Sequence, residues 1–157
     1  MPITGRCYCG HLQFTVEGSI GPVVNCHCDF CRRIHGAAFT TVALVPSRAI
    51  SWVPSSGEPS RFNTPLGNVR QFCGKCASPV WNFSPSLGLA SVIVSSLAEA
   101  EQPSPWAHVN TESKARWLMI SDDLPRFHSW PDASQLQELM RQHPEAWLPE
   151  ELLTSAV

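Results

Sequence analysis

The chain has 157 residues, of which 43% are hydrophobic and 15% charged, with a net charge of −2. This composition supports one domain with a proper core and excludes a disordered chain. It lacks the basic excess of a nucleic-acid binder, and no apolar run approaches the roughly 18 residues that a bilayer span needs, so neither nucleic acid nor membrane is an expected partner.

The first residues, Met1 to Arg6, contain no apolar signal-peptide core, and a cytoplasmic location is expected. Leu12, Phe14 and Val16 then alternate with polar residues, which predicts a half-buried strand ending near Gly18. Gly21-Pro22 marks a turn, and Val23-Val24 lead into the dense segment Cys26-His27-Cys28-Asp29-Phe30-Cys31. One or two helical turns are expected over 29–35, stopped by Gly36. A buried strand over 38–45 and a short one over 50–53 precede a turn at 55–59. Strand candidates follow at 61–64 and 69–73. A tight turn then carries Cys73-Gly74-Lys75-Cys76, with Gly74 expected to ease the backbone. Residues 78–83 resume as a strand that Pro79 places at an edge or a start. Residues 90–97 are the strongest β run of the chain, and the last strands are expected at 106–110 and 116–120. Trp52, Trp81 and Trp117 are expected in the core.

The tail changes character. Asp132 with Gln135 predicts a capping box before a helix that presents Leu136, Leu139 and Met140 on one face, and a second short helix is expected from Pro149. The expected organisation is a β-rich domain over 1–130 and a helical extension over 131–157 packed on it.

All seven cysteines lie in three clusters: Cys7-Tyr8-Cys9, Cys26 to Cys31, and Cys73 to Cys76. In a reducing compartment such clusters point to metal ligands rather than disulfides, and seven thiols do not pair completely. Four thiolates are the usual complement of a closed structural zinc site, and Cys7, Cys9, Cys73 and Cys76 supply four. For the strand-borne Cys7–Cys9 pair to reach one ion, the strand must bend, and Gly10 is placed to let it. The plainer alternatives are free buried cysteines or a redox Cys-x-x-Cys. Cys26, Cys28 and Cys31 supply only three thiolates, which leaves a fourth position for water or substrate, as in catalytic zinc sites. A thiol is the natural fourth ligand there, and zinc favours its nucleophilic thiolate. Competing arrangements are a fourth ligand from within, His27 or His108, and a metal-free cysteine cluster. Two zinc ions are therefore expected, one structural and one more labile because it has one protein ligand fewer.

The ordered set Cys7-x-Cys9-Gly10, Cys26-His27-Cys28-x-x-Cys31-Arg32, Phe72-Cys73-x-x-Cys76-x-Ser78, His108-Val109, Trp117 and Leu124-Pro125-Arg126-Phe127 resembles the glutathione-dependent formaldehyde-activating enzyme family over about residues 4–128. The resemblance implies a mainly β fold, an Mss4-like β-tent of antiparallel sheets around a four-cysteine zinc. It implies that Cys7, Cys9, Cys73 and Cys76 hold that zinc, and that Cys26, Cys28 and Cys31 hold the functional one. The implied activity is that of a carbon–sulfur lyase or synthase acting on S-(hydroxymethyl)glutathione, the adduct of glutathione and formaldehyde. The competing class is a non-enzymatic zinc module that binds a thiol, a metal or a protein. The chain departs from the family in having Ala77 where glycine usually follows the Cys-x-x-Cys pair, and Ser96-Leu97-Ala98 where a Gly-x-Leu-Asp type turn is usual.

Around the clusters, Arg32, Arg33, Arg70 and Lys75 are candidates to pair with the carboxylates of a glutathione-like ligand. His35 and His108 are candidates for proton handling near neutral pH. Asp29 either accepts a hydrogen bond beside the second site or caps the helix that follows it.

Overall fold

The computed structural model describes residues 1–147. The helix expected from Pro149 lies outside them. In chain order the strands are β1 (Ile3–Arg6), β2 (Gln13–Val16), β3 (Val23–Cys26), β4 (Thr40–Pro46), β5 (Ile50–Trp52), β6 (Ser60–Asn63), β7 (Val69–Phe72), β8 (Pro79–Ser84), β9 (Leu89–Ile93) and β10 (Ala107–Val109). Among the described residues there are also two α-helices, α1 (Asp29–His35) and α2 (Ala133–Arg141), and five short 3₁₀ helices. The fold is mainly β, as the sequence predicts. Among the described residues, no helix is long and apolar enough to cross a membrane.

The strands form two sheets. The smaller has the order β1-β2-β5 and the larger β10-β3-β4-β9-β8-β7-β6. All pairings are antiparallel except β10 on β3. The main core contains Leu12, Phe14 and Val16 from the alternating stretch, with Val45, Val80, Trp81 and Val92 from the larger sheet. Each such side chain, fully buried, contributes about 1.5–3 kcal/mol. Trp52 stacks on Trp81 at 4.2 Å, and Phe14 meets both rings edge-on. Gly5 is what lets Phe14 lie flat across β1, because a Cβ there would sit 2.1 Å from its ring. A second, smaller core of Val24, Val42, Ile93 and Val109 underlies Cys26 and Cys31. The three-cysteine cluster therefore rests on β3, β4, β9 and β10, away from the four-cysteine cluster.

Several expectations are corrected. The run 90–97 does not stay a strand. β9 ends at Ile93, and Val94–Ser96 turn into a 3₁₀ helix in which Ser96 Oγ donates to the Ile93 carbonyl at 2.7 Å. That local bond offers the backbone an alternative to the ladder. Residues 116–120 are not a strand either. Lys114 Nζ donates to the carbonyls of Ala115 and Leu118 and holds the segment in a turn. The edge beyond β10 is taken instead by residues 125–127: His108 N–H donates to Pro125 O, and Phe127 N–H to His108 O. Trp117 consequently lies on the surface, 75% exposed, rather than in the core. Pro79 does open its strand, β8, where it removes no donor from the middle of the ladder. The α2 capping box forms as expected, with Asp132 and Gln135 bonding reciprocally and Leu136 and Leu139 buried.

Candidate metal centres and their surroundings

The Cys7–Cys9 pair is not on a strand. It follows β1 in a turn whose last member, Gly10, has φ +75° and donates its N–H to Cys7 O at 3.1 Å. Cys73 to Cys76 form the turn between β7 and β8. The left-handed residue of that turn is Ala77, φ +59°, whose N–H closes on Cys73 O at 2.8 Å. Gly74 has a different task from the one expected of it: a Cβ there would lie 2.8 Å from Ser60 Oγ, so glycine permits close approach of β6.

Left-handed backbone costs an L-residue on the order of 1 kcal/mol or more, and glycine avoids most of that. Ala77→Gly is therefore expected to stabilise the protein by about 1 kcal/mol, a Tm rise of about 2–4 °C in a thermal melt. An unchanged or lower Tm would show that the turn carries no such strain.

The two turns bring four sulfurs together. Sγ atoms of Cys7, Cys9, Cys73 and Cys76 all lie within 4.8 Å of one another, with Cys7–Cys9 at 3.6 Å and Cys9–Cys73 at 3.8 Å. Tetrahedral zinc with bonds of about 2.3 Å requires sulfurs about 3.8 Å apart, so the set fits zinc and not a disulfide. Cys7 Sγ accepts from Leu12 N–H. Ser78 links the halves: its hydroxyl accepts from Tyr8 N–H, and its Oγ and backbone N–H hold the Cys76 thiol down at about 5. At Cys9 the pull of His11 N–H is outweighed by desolvation and by the other thiols, which push it up to about 11. A cation at the centre removes that conflict, since coordinating thiols are deprotonated.

The second cluster is assembled by one turn of chain. Cys26 ends β3, Cys28 is the N-cap of α1, and Cys31 lies on the helix. Their sulfurs are within 4.8 Å of one another, and among the described residues no fourth cysteine, histidine or carboxylate joins them. Cys28 Sγ accepts from Cys31 N–H at 3.3 Å. Hydrogen bonds from Cys26 and then Cys31 hold the Cys28 thiol far below its usual range, and the same crowding pushes those two thiols up. The donor set suits a borderline-soft divalent ion such as zinc, bound from one side.

His27 and His108, the alternative internal ligands, are engaged elsewhere. His108 Nε2 meets the Asp122 carboxylate at 3.0 Å, which leaves Nδ1 to accept from His27 Nε2 at 2.7 Å. Both rings are buried, and burial followed by the neighbouring His108 holds His27 down at about 4. The pair ties the cysteine loop to β10.

The other candidates are placed as follows. Asp29 does not cap α1. It pairs with Arg33 at 2.7 Å and Arg32 at 3.5 Å on the first turn. Lys75 is exposed beside the first cluster. His35 ends α1, pushed down to about 4 by burial and by Arg70. Arg70 is not a surface arginine awaiting a carboxylate: it is 7% exposed and directs Nη2 at Cys31 Sγ, 3.9 Å away. One neighbour escaped the sequence reading. Asn110 donates Nδ2–H to Cys26 Sγ at 3.4 Å from a left-handed backbone position, φ +55°. Its only trace in the sequence is an asparagine directly after a strand, where that conformation is tolerated.

The family described as glutathione-dependent formaldehyde-activating enzyme matches residues 2–113. A Halomonas elongata protein, provisionally named as a glutathione-dependent formaldehyde-activating enzyme, is 27% identical over 144 residues, covering 85% of this chain and 92% of that protein. The fold is also similar to a crystal structure of a Rhodobacter sphaeroides protein, with TM-score 0.52 and 23% identity, over 65% of this chain and 91% of the other. The matched span contains all seven cysteines, and in the folded chain those cysteines converge into a group of four and a group of three. The chain therefore belongs to the glutathione-dependent formaldehyde-activating enzyme family.

Proposed function

We propose that the protein catalyses formation or cleavage of S-(hydroxymethyl)glutathione, or of a related thiol–aldehyde adduct, at the three-cysteine centre. The observation that carries this reading is the convergence of Cys26, Cys28 and Cys31 without a fourth protein ligand among the described residues. Zinc held by these residues would stabilise the incoming thiol as its nucleophilic thiolate. In the addition, the thiol gives up its proton, its sulfur forms a bond to the formaldehyde carbon, the C=O π bond breaks, and the new alkoxide takes a proton. Cleavage runs the same changes backwards. The chain's part is to hold the three sulfurs in place. Cys28 is fixed by the N-terminus of α1, Cys26 by β3 and Asn110, and Cys31 by the helix and Arg70. Holding two reactants together in a defined geometry is itself a source of acceleration.

The four-cysteine group has the composition of a closed structural zinc site, and we assign it no chemistry. The tail belongs to the same unit in this reading. Trp106 stacks on His143 at 3.7 Å, and Trp147 N–H donates to Ile20 O. The location that goes with this reading is a reducing cytoplasm, where clustered cysteines serve as metal ligands rather than disulfides.

The test is the rate of adduct formation from glutathione and formaldehyde, followed by exchange NMR against the enzyme-free reaction. The reading predicts acceleration that scales with protein concentration. Glutathione binding with no acceleration would leave a thiol-binding zinc module instead.

A further inference from the structure

Arg70 is a cation buried without a carboxylate. It is 7% exposed, and among the described residues no Asp or Glu oxygen lies within ion-pairing distance of it. A guanidinium taken out of water costs several kcal/mol unless an opposing charge and hydrogen bonds replace its hydration. Its neighbours are few. Cζ sits 4.3 Å above the Phe30 ring, Nη1 meets His35 Nε2 at 3.3 Å, and Nη2 points at Cys31 Sγ at 3.9 Å. The aromatic face and the imidazole nitrogen are partial compensations. Of these contacts, only the Cys31 sulfur can carry a full negative charge.

The charge of the three-cysteine centre matches this. Three thiolates around a divalent cation sum to −1, and a thiolate taken from substrate makes the centre −2. A half-buried anionic centre needs a counter-charge that does not itself bind the metal, and Arg is suited to this because it stays protonated. β7 supplies it. Arg70 is the inward-facing residue of a strand whose next turn carries Cys73, so the strand that anchors the four-cysteine group also delivers the cation to the three-cysteine group.

We propose that Arg70 is the positioning and charge-balancing residue of the three-cysteine centre. Through its contact with Cys31 it raises the affinity of that centre for a divalent metal and for a fourth, anionic sulfur ligand. This rests on the reading of the three cysteines as an open metal centre.

The experiment is competition for zinc by a chromophoric chelator, on wild type, Arg70→Gln, Arg70→Met and Arg70→Lys, with cobalt substitution as a second readout. Wild type is expected to release two ions in separate steps, the labile one first. Loss of partners beside a metal ligand typically costs 10–100-fold in affinity, and a loss of about that size is expected for the labile ion in Arg70→Gln and Arg70→Met. The tightly held ion should be unchanged and serves as the internal control. Arg70→Lys keeps the charge and should stay within about tenfold of wild type, above both neutral variants. The cobalt protein should show a shifted sulfur-to-metal charge-transfer band in the neutral variants, which a packing defect elsewhere would not produce.

Arg70→Met holding the labile ion as tightly as wild type would overturn the proposal. So would an Arg70→Lys protein that releases it as readily as the neutral variants. Should neither neutral variant fold, the Lys protein decides alone, and a loss beyond about tenfold counts against the proposal. A wild type that holds only one ion refutes the open metal centre itself, a result distinct from two ions with no dependence on Arg70.

Discussion

Replacing Cys73 with serine is expected to remove one zinc equivalent and to unfold the protein at ordinary temperature. Cys73 is fully buried, and its sulfur lies 3.8 Å from that of Cys9, 64 residues away. An ion held by those two residues with Cys7 and Cys76 would close the turn after β1 onto the β7–β8 turn. Structural zinc contributes on the order of 10 kcal/mol or more in small zinc domains, and whole domains are stable by about 5–15 kcal/mol. Losing one of four ligands therefore removes a large part of what holds this fold. Serine at position 73 also leaves a buried hydroxyl among three thiols that were placed for a cation. Elemental analysis and a circular dichroism melt measure both effects. A Cys73→Ser protein with two ions and a near-native melt would refute the structural assignment.

Cys28→Ser is expected to behave in the opposite way, losing function while keeping the fold. Cys28 does two things. Its sulfur belongs to the three-cysteine group, and it caps α1 by accepting from Cys31 N–H. Serine is among the better N-cap residues, so the helix start survives to within about 1 kcal/mol. As a zinc ligand beside two thiolates it is far poorer. Removing a direct ligand should cost more than the 10–100-fold typical of second partners, so the labile ion should be lost, together with glutathione binding and any acceleration of adduct formation. Unchanged acceleration in Cys28→Ser would move the chemistry away from this centre.

The difference between these two variants follows from features that the sequence displays unevenly. The cysteine clusters were legible because metal ligands must have particular elements at particular spacings, and the folded chain brings those sulfurs into a group of four and a group of three. The α2 cap and β2 (Gln13–Val16) were legible because each follows a local pattern, a capping box in the first and a period of two in the second. What was not legible depends on distant partners. His27 and His108 are 81 residues apart, and only the parallel pairing of β10 with β3 brings them together. Arg70 reads as an ordinary exposed arginine until β7 turns it inward against Phe30 and Cys31. Ala90 to Leu97 has strand composition throughout, yet a single serine hydroxyl bonded to Ile93 O ends the ladder early. Trp117 is apolar enough for a core, but residues 125–127 hold the edge where its segment would have paired, and it stays on the surface.

The central claim is that one centre is closed by four cysteines and the other accepts a thiol from outside. Zinc K-edge X-ray absorption of the fully loaded protein, with and without glutathione, tests it most directly. Without the thiol, four sulfurs at one ion and three at the other average about 3.5 per zinc. Saturating glutathione should raise that average to about 4, with light-atom scattering from the open position disappearing. A sulfur number that does not change on adding glutathione would contradict the claim, whatever the zinc content.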